Sequence, residues 1–175
     1  GNGTVRITGL NGVENAAGGD FDLHGPARLE GTLANRGSLE STDRLTVTGS
    51  LDNYGAYHNT GSLHIGGDPS PEKVVIHSGG SFYHQGTMTA DGPVYGFVFV
   101  NDGTLYTNAA STVDLPSSVP ADNNGTVEHH GRLETASYVD NYDGVINEYC
   151  GSVIQGSVAG GTRNDLCVGT VVVEK

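Results

Sequence analysis

Leu33-Ala34-Asn35-Arg36-Gly37-Ser38-Leu39 is echoed eighteen residues later by Leu51-Asp52-Asn53-Tyr54-Gly55-Ala56-Tyr57. The echo extends outward, because Leu45, Val47 and Gly49 return as Leu63, Ile65 and Gly67. A finer period of six runs through both copies. Glycine stands at 19, 25, 31, 37, 49, 55, 61 and 67, with Asp43 as the exception in that series. Two places after most members comes a large apolar residue: Phe21, Leu33, Leu39, Leu45, Leu51, Tyr57, Leu63. Three hexads therefore make one unit, and self-similarity at a fixed short period marks a stacked repeat.

Within each hexad the side chains alternate with period 2, as in Arg44-Leu45-Thr46-Val47-Thr48, and Val98-Phe99-Val100 is a short β-branched and aromatic run of the same strand type. That is strand patterning, and no stretch keeps apolar residues at helical spacing for three turns. Strands of four or five residues cut every six cannot form long hairpins in an eighteen-residue register. They can form coils of three short strands, each coil stacked on the next at roughly 4.8 Å. The expected fold is all-β, a single-domain parallel β-solenoid over residues 1–175, with about 18 residues per three-strand coil and no helix. Seven or eight such coils would span roughly 35–40 Å. Parallel crossovers are overwhelmingly right-handed, and the insertions and register slips favour that hand here. Asn and Gly are expected at the corners, where both tolerate a left-handed backbone. Stacked Asn side chains would form a hydrogen-bonded ladder along the axis.

The core repeats run over about 19–158. Phe82, Gly86 and Met88 copy the Leu51, Gly55 and Tyr57 positions, with His84 in place of Asn. Asn101, Gly103 and Leu105 follow after seventeen residues, and Asn124-Gly125, Val127, Gly131 and Leu133 resume the pattern. Val139-Asp140-Asn141-Tyr142 repeats Leu51-Asp52-Asn53-Tyr54, after which Gly144, Gly151, Ser152 and Val153 match Gly55, Gly61, Ser62 and Leu63. Proline-bearing insertions at about 67–73 and 114–123 read as loops, since proline cannot donate to a strand ladder.

Composition narrows the class. The 175 residues include 28 glycines, more than twice the usual ~7% share, but Gly and Pro together fall short of a low-complexity chain. Eight Lys and Arg stand against twenty Asp and Glu, a formal net charge of -12. Such a surface has little grip on a phosphate backbone or an anionic membrane, so no nucleic-acid partner and no membrane insertion are expected. It attracts cations instead.

Cys150 and Cys167 suit a disulfide that brackets residues 150–167 and contributes roughly 3 kcal/mol in the chain-entropy picture. Asn2 and Asn124 open Asn-Gly-Thr sequons. These features, with a first residue that is not Met, point to an exported and processed product. The seven histidines, His24, His58, His64, His77, His84, His129 and His130, form no chelating doublet and read as solvent-facing strand residues. His129 and His130 are adjacent and must point to opposite faces of a strand. Asp52 and Asp140 occupy matching repeat positions, which speaks for architecture over catalysis. No phosphate-binding loop or nucleophile elbow is present, so no catalytic residue and no resident cofactor are assigned. Tyr54 and Tyr142, after Asp-Asn in the two best copies, could stack on a sugar or a partner, or pack at a corner.

The string Gly31-Thr-Leu-Ala-Asn-Arg-Gly-Ser-Leu39, with copies at 49–63 and 139–153, resembles the Asn/Gly-rich repeats of filamentous-haemagglutinin-type adhesins and of bacterial and archaeal surface solenoids. The close at Asn147-Glu-Tyr-Cys-Gly-Ser-Val-Ile-Gln-Gly-Ser157 is similar to the Cys-containing end of some such arrays. The resemblance implies an extracellular or cell-surface structural or adhesive protein, with no catalytic residues to carry over. Both ends of the chain read as strand, with Val5 and Ile7 at one end and Val171, Val172 and Val173 at the other. Uncovered solenoid ends invite neighbours. The leading expectation is a subunit that joins end to end or by strand exchange into a surface fibre, with a divalent cation such as calcium offsetting self-repulsion. A monomeric adhesin or carbohydrate-binding module of a larger surface protein is the alternative, and a glycan-active enzyme a distant third.

Overall fold

Hexads of alternating polarity and the glycine column dictate what the computed structural model contains: short parallel strands wound into a β-solenoid of about seven turns. It describes residues 4–8, 12–66, 73–91, 99–115 and 121–167, without the side chains of Lys73 and of 135–138. No helix occurs among the described residues. The first face stacks Val5–Ile7, Ala27–Leu29, Leu45–Val47, Ser62–Ile65, Thr87–Ala90 and Thr112–Leu115. The second stacks Val13–Asn15, Thr32–Asn35, Ser50–Asn53, Lys73–Ile76, Phe99–Asn101 and Ala121–Asn123. The third runs from Asp20–Leu23 through Ser38–Ser41, Ala56–Asn59, Ser81–His84, Thr104–Thr107, Thr126–His129 and Val145–Glu148 to Thr162–Asp165. Arg132–Asp140 and Val153–Ala159 each bend around a corner and complete the first two faces together.

Because every pairing is parallel, and in register apart from a shift between Glu134 and Tyr138, each inward side chain lies on its copy in the next coil. One stack reads Val5, Ala27, Leu45, Leu63, Met88, Val113, Leu133, Ile154. Another reads Phe21, Leu39, Tyr57, Phe82, Leu105, Val127, Ile146. The early coils are tightly filled, with Leu39, Leu51, Tyr57, Leu63 and Phe82 wholly buried. Ala121 and Val127 fill less space, and a cavity of about 40 Å³ lies beside them, lined also by Met88, Phe99 and Leu105.

Several sequence expectations change. The hexad glycines from Gly19 to Gly61 do not adopt a left-handed backbone; positive φ occurs only at Gly12, Gly18, Gly79, Gly151, Gly156, Gly160 and Gly161 among the described residues, Gly151 being the one that copies a hexad position, Gly61. Glycine is required for a different reason. A Cβ at Gly55 would stand 2.2 Å from the Gly37 carbonyl oxygen of the coil beneath, a separation that no real side chain tolerates. Asn35, Asn53, Asn59, Asn101 and Asn123 are likewise inward-pointing strand residues, not left-handed corners.

Phe82, Gly86 and Met88 sit one face further round than the sequence placed them. Phe82 pairs with Tyr57 and Met88 with Leu63, because Lys73–Ile76 supplies an extra second-face strand. That strand buries Val74 and Ile76 but carries Ile where the signature Asn belongs. Both insertions are therefore shorter than read. Lys73 is strand, Asp114 and Leu115 end a strand whose Leu115 is buried, and residues 121–123 form the next strand. Val153 pairs with Arg132 and is exposed, while Ile154 takes the inward position; a one-residue slip flips the face. The stack also extends beyond 19–158, from Val5 to Asp165.

Candidate functional site

The inward end of the second face is polar. Asn15 donates through Nδ2 to Asn35 Oδ1 at 2.8 Å, and Asn35 to Asn53 at 2.7 Å. A second ladder runs Asn101 to Asn123 at 2.7 Å and Asn123 to Asn141 at 2.5 Å. Several rungs also donate to a carbonyl at the start of the next strand, as Asn35 does to Ala56 and Asn53 to Ser81. Ile76 separates the two ladders and has no hydrogen to donate, which leaves the buried Asn101 Oδ1 without a partner. A mixed polar stack lines the third face: Ser41, Asn59, His84, Thr107, His129.

His84 and His129 thus correct the reading of the histidines as solvent-facing: each is about 1% exposed. Asn59 Nδ2 lies 3.0 Å from His84 Nδ1, so the ring is neutral with its proton on Nε2, which finds no hydrogen-bond partner of good geometry. Burial pushes His84 down to about 4, partly offset by the carbonyls of Thr112 and Gly86. Burial also lowers His129, whose ring contacts Thr107 Oγ1 and the Val153 carbonyl.

The remaining histidines lie outside. His58 and His64 are on different faces, and His64 contacts Thr89 and Asp91. His77 bonds Asp52, the outward residue that shares the second face with Asp140. Asn124 is exposed and its Nδ2 bridges Asp102 and Asp122, both at 3.0 Å. Burial, the largest influence, raises the Asp122 carboxyl, with Asp140, Asp102 and Asp143 adding to it. No group of three His, Cys, Asp or Glu among the described residues is disposed to hold a metal ion.

The aromatic residues separate into distinct environments. Tyr54 is held between the Arg36 guanidinium, 4.3 Å from its ring centre, and His77, stacked at 3.9 Å. Its two faces are therefore taken, which is corner packing. Tyr142 is 77% exposed. A feature that the sequence did not single out lies on the outer third face. There His58, Tyr83 and Tyr106 stack in successive coils with centroids 4.5 Å apart. At the adjoining corner His130 stacks on Tyr149 at 3.9 Å. Glu128 braces this region, accepting from the Tyr149 hydroxyl and from Asn147 Nδ2, both at 2.9 Å. Between ledge and corner runs a groove of about 350 Å³ lined by Tyr83, Gln85, Tyr106, Asn108, Ala109 and His130. The signal in the sequence was present at an outward period, His58, Tyr83, Tyr106, but unequal coil lengths scattered it.

The two ends of the stack differ chemically on the third face, while Ile154 and Val158 keep the last coil apolar on the other two. At the first coil the inward positions are Val5, Ile7, Val13, Asn15, Phe21 and Leu23, and Val5 is 48% exposed. Each of these strands pairs on one side only among the described residues. At the last coil Arg163 follows Ile146 in its stack and Asp165 follows Glu148. Arg163 binds both carboxylate oxygens of Glu148, and the Cys150–Cys167 disulfide ties the preceding turn to the end of this strand. Asn2 and Val171, Val172 and Val173 lie outside the described residues. No protein-family model, curated protein or solved structure matches this chain.

Proposed function

We propose that this chain is an extracellular structural module, related to the solenoids of filamentous-haemagglutinin-type adhesins, that associates with a neighbour through the end formed by its first coil. The observation that carries the reading is the contrast between ends: at one, Val5 is exposed and Val13 and Phe21 are half-buried beside the buried Ile7 and Leu23; at the other, the Arg163–Glu148 pair closes the third face. The disulfide supports an oxidising compartment. Head-to-tail continuation would lay Arg163 and Asp165 on Phe21 and Leu23, burying charge against apolar side chains. Two-fold pairing of first coils is more favourable. An axis across the second face sets the first face of one copy over the third face of the other. Arg6 then opposes Asp20 and Asp22, an isologous and charge-complementary contact.

Sedimentation velocity across a concentration series, with and without calcium, tests this. A discrete dimer that Val5→Asp reverts to monomer is the expected result. Monomer under every condition overturns the proposal, and open filaments overturn its one-ended form in favour of a homopolymeric fibre. The adhesin alternative is favoured by one observation, the aromatic ledge on the third face.

A further inference from the structure

We propose that the groove between the Tyr83–Tyr106 ledge and His130 is a binding site for a neutral saccharide. His130 rests one ring face on Tyr149, and Tyr149 is itself tied to Glu128. The groove is lined by the two preceding coils and not by Tyr149, so the opposite face of the imidazole is the one presented to it. A rigid ring with one open face suits the C–H face of a pyranose. Tyr83 and Tyr106 stack on each other and turn edges, not faces, outward, so they form no aromatic cage for a cation.

The polar groups around the ring match hydroxyl chemistry. Asn108 Oδ1 accepts from the Ala110 N–H at 2.9 Å, leaving the Nδ2 hydrogens to donate. Gln85 offers a complete amide from the neighbouring coil, and the tyrosine hydroxyls can donate or accept. No Lys or Arg lines the groove, and Glu128 beside Tyr106 repels anions, so sialylated, uronic or phosphorylated ligands are disfavoured. The volume of about 350 Å³ is at the small end for a ligand site and fits one or two sugar rings. The face is remote from the first-coil end, so binding here does not depend on association there.

An array of neutral hexose and N-acetylhexosamine oligosaccharides, with sialylated and uronic arms beside them, tests the site using the whole chain. Binding confined to neutral glycans is expected, weakened roughly tenfold or more by His130→Ala and by Asn108→Ala. Tyr54→Ala, at the occupied corner, should leave it unchanged. Thermal unfolding of each variant confirms that it is folded, and Asn108→Ala decides the matter should His130→Ala unfold. Absence of binding, preference for acidic glycans, or indifference to both groove substitutions overturns the proposal. Monomeric protein that still binds would sink the association proposal and leave this one standing.

Discussion

Phe82→Ala should lower the unfolding free energy by about 3–5 kcal/mol, read from urea denaturation at neutral pH. Phe82 is fully buried, lies flat on Tyr57 with centroids 4.5 Å apart, and meets Phe99 and His84 at tilted angles. In an in-register stack the space it vacates has fixed floors and ceilings: Tyr57 and Leu105 belong to other coils and cannot collapse into it without dragging their strands. Tyr83→Ala, one residue along, removes a side chain of similar size from the outer face and should cost well under half as much. The ratio is the informative quantity. Equal losses at 82 and 83 would mean that the strand does not alternate between core and surface as described.

Acid should destabilise the fold through His84. Its native pKa of about 4 lies below the ordinary 6.5, because burial disfavours the charged ring. The native state therefore binds fewer protons than the unfolded chain between those values. Stability from this residue is complete above pH 6.5 and is lost as pH falls toward 4, by about 3 kcal/mol in all. His129, shifted in the same direction, adds to the loss, whereas the raised Asp122 works against it over the carboxylate range. His84→Asn removes the main contribution. Asn at this position can accept from Asn59 and donate to the Gly86 carbonyl, as Asn59 does to Gly61 and Asn53 to Gly55. Its urea midpoint should match the parent at pH 7 and exceed it at pH 4.5. Parallel pH profiles for the two proteins would show that the buried imidazole is not the sensor.

The repeat was legible wherever chemistry was strict. Asn35 and Asn53 had to recur because each rung donates to the next, and Gly37, Gly49 and Gly55 because a Cβ would strike the carbonyl of the adjacent coil. Where the solenoid relaxes these demands, the sequence no longer marks the face. Ile76 replaces a rung with an apolar side chain, so the Lys73–Ile76 strand carries no Asn signature in the sequence, and Phe82 reads as a second-face residue although it lies on the third. A shift of six residues preserves every local pattern and only changes which face a strand joins, so composition offers no warning. Close approach and a left-handed backbone both select glycine, so the sequence by itself does not separate the two.

The surface was far less legible than the core. Tyr54 and Tyr142 stood out because they follow Asp-Asn, yet one is sandwiched between Arg36 and His77. The ledge and groove depend on pairings such as Tyr83 with Tyr106 and His130 with Tyr149, separated by unequal coil lengths that only the register reveals.

Scalar couplings across backbone hydrogen bonds, measured by NMR on uniformly labelled protein, test the stacking itself. The Ser38 amide should couple to the Gly19 carbonyl carbon, Ala56 to Gly37, Tyr54 to Asn35 and Thr60 to Ser41, since these pairs lie 2.8–2.9 Å apart, N to O. Each partner is nineteen positions earlier, the signature of parallel strands one coil apart. Couplings linking sequential hexads in antiparallel order, or none across this separation, would contradict the solenoid and everything built upon it.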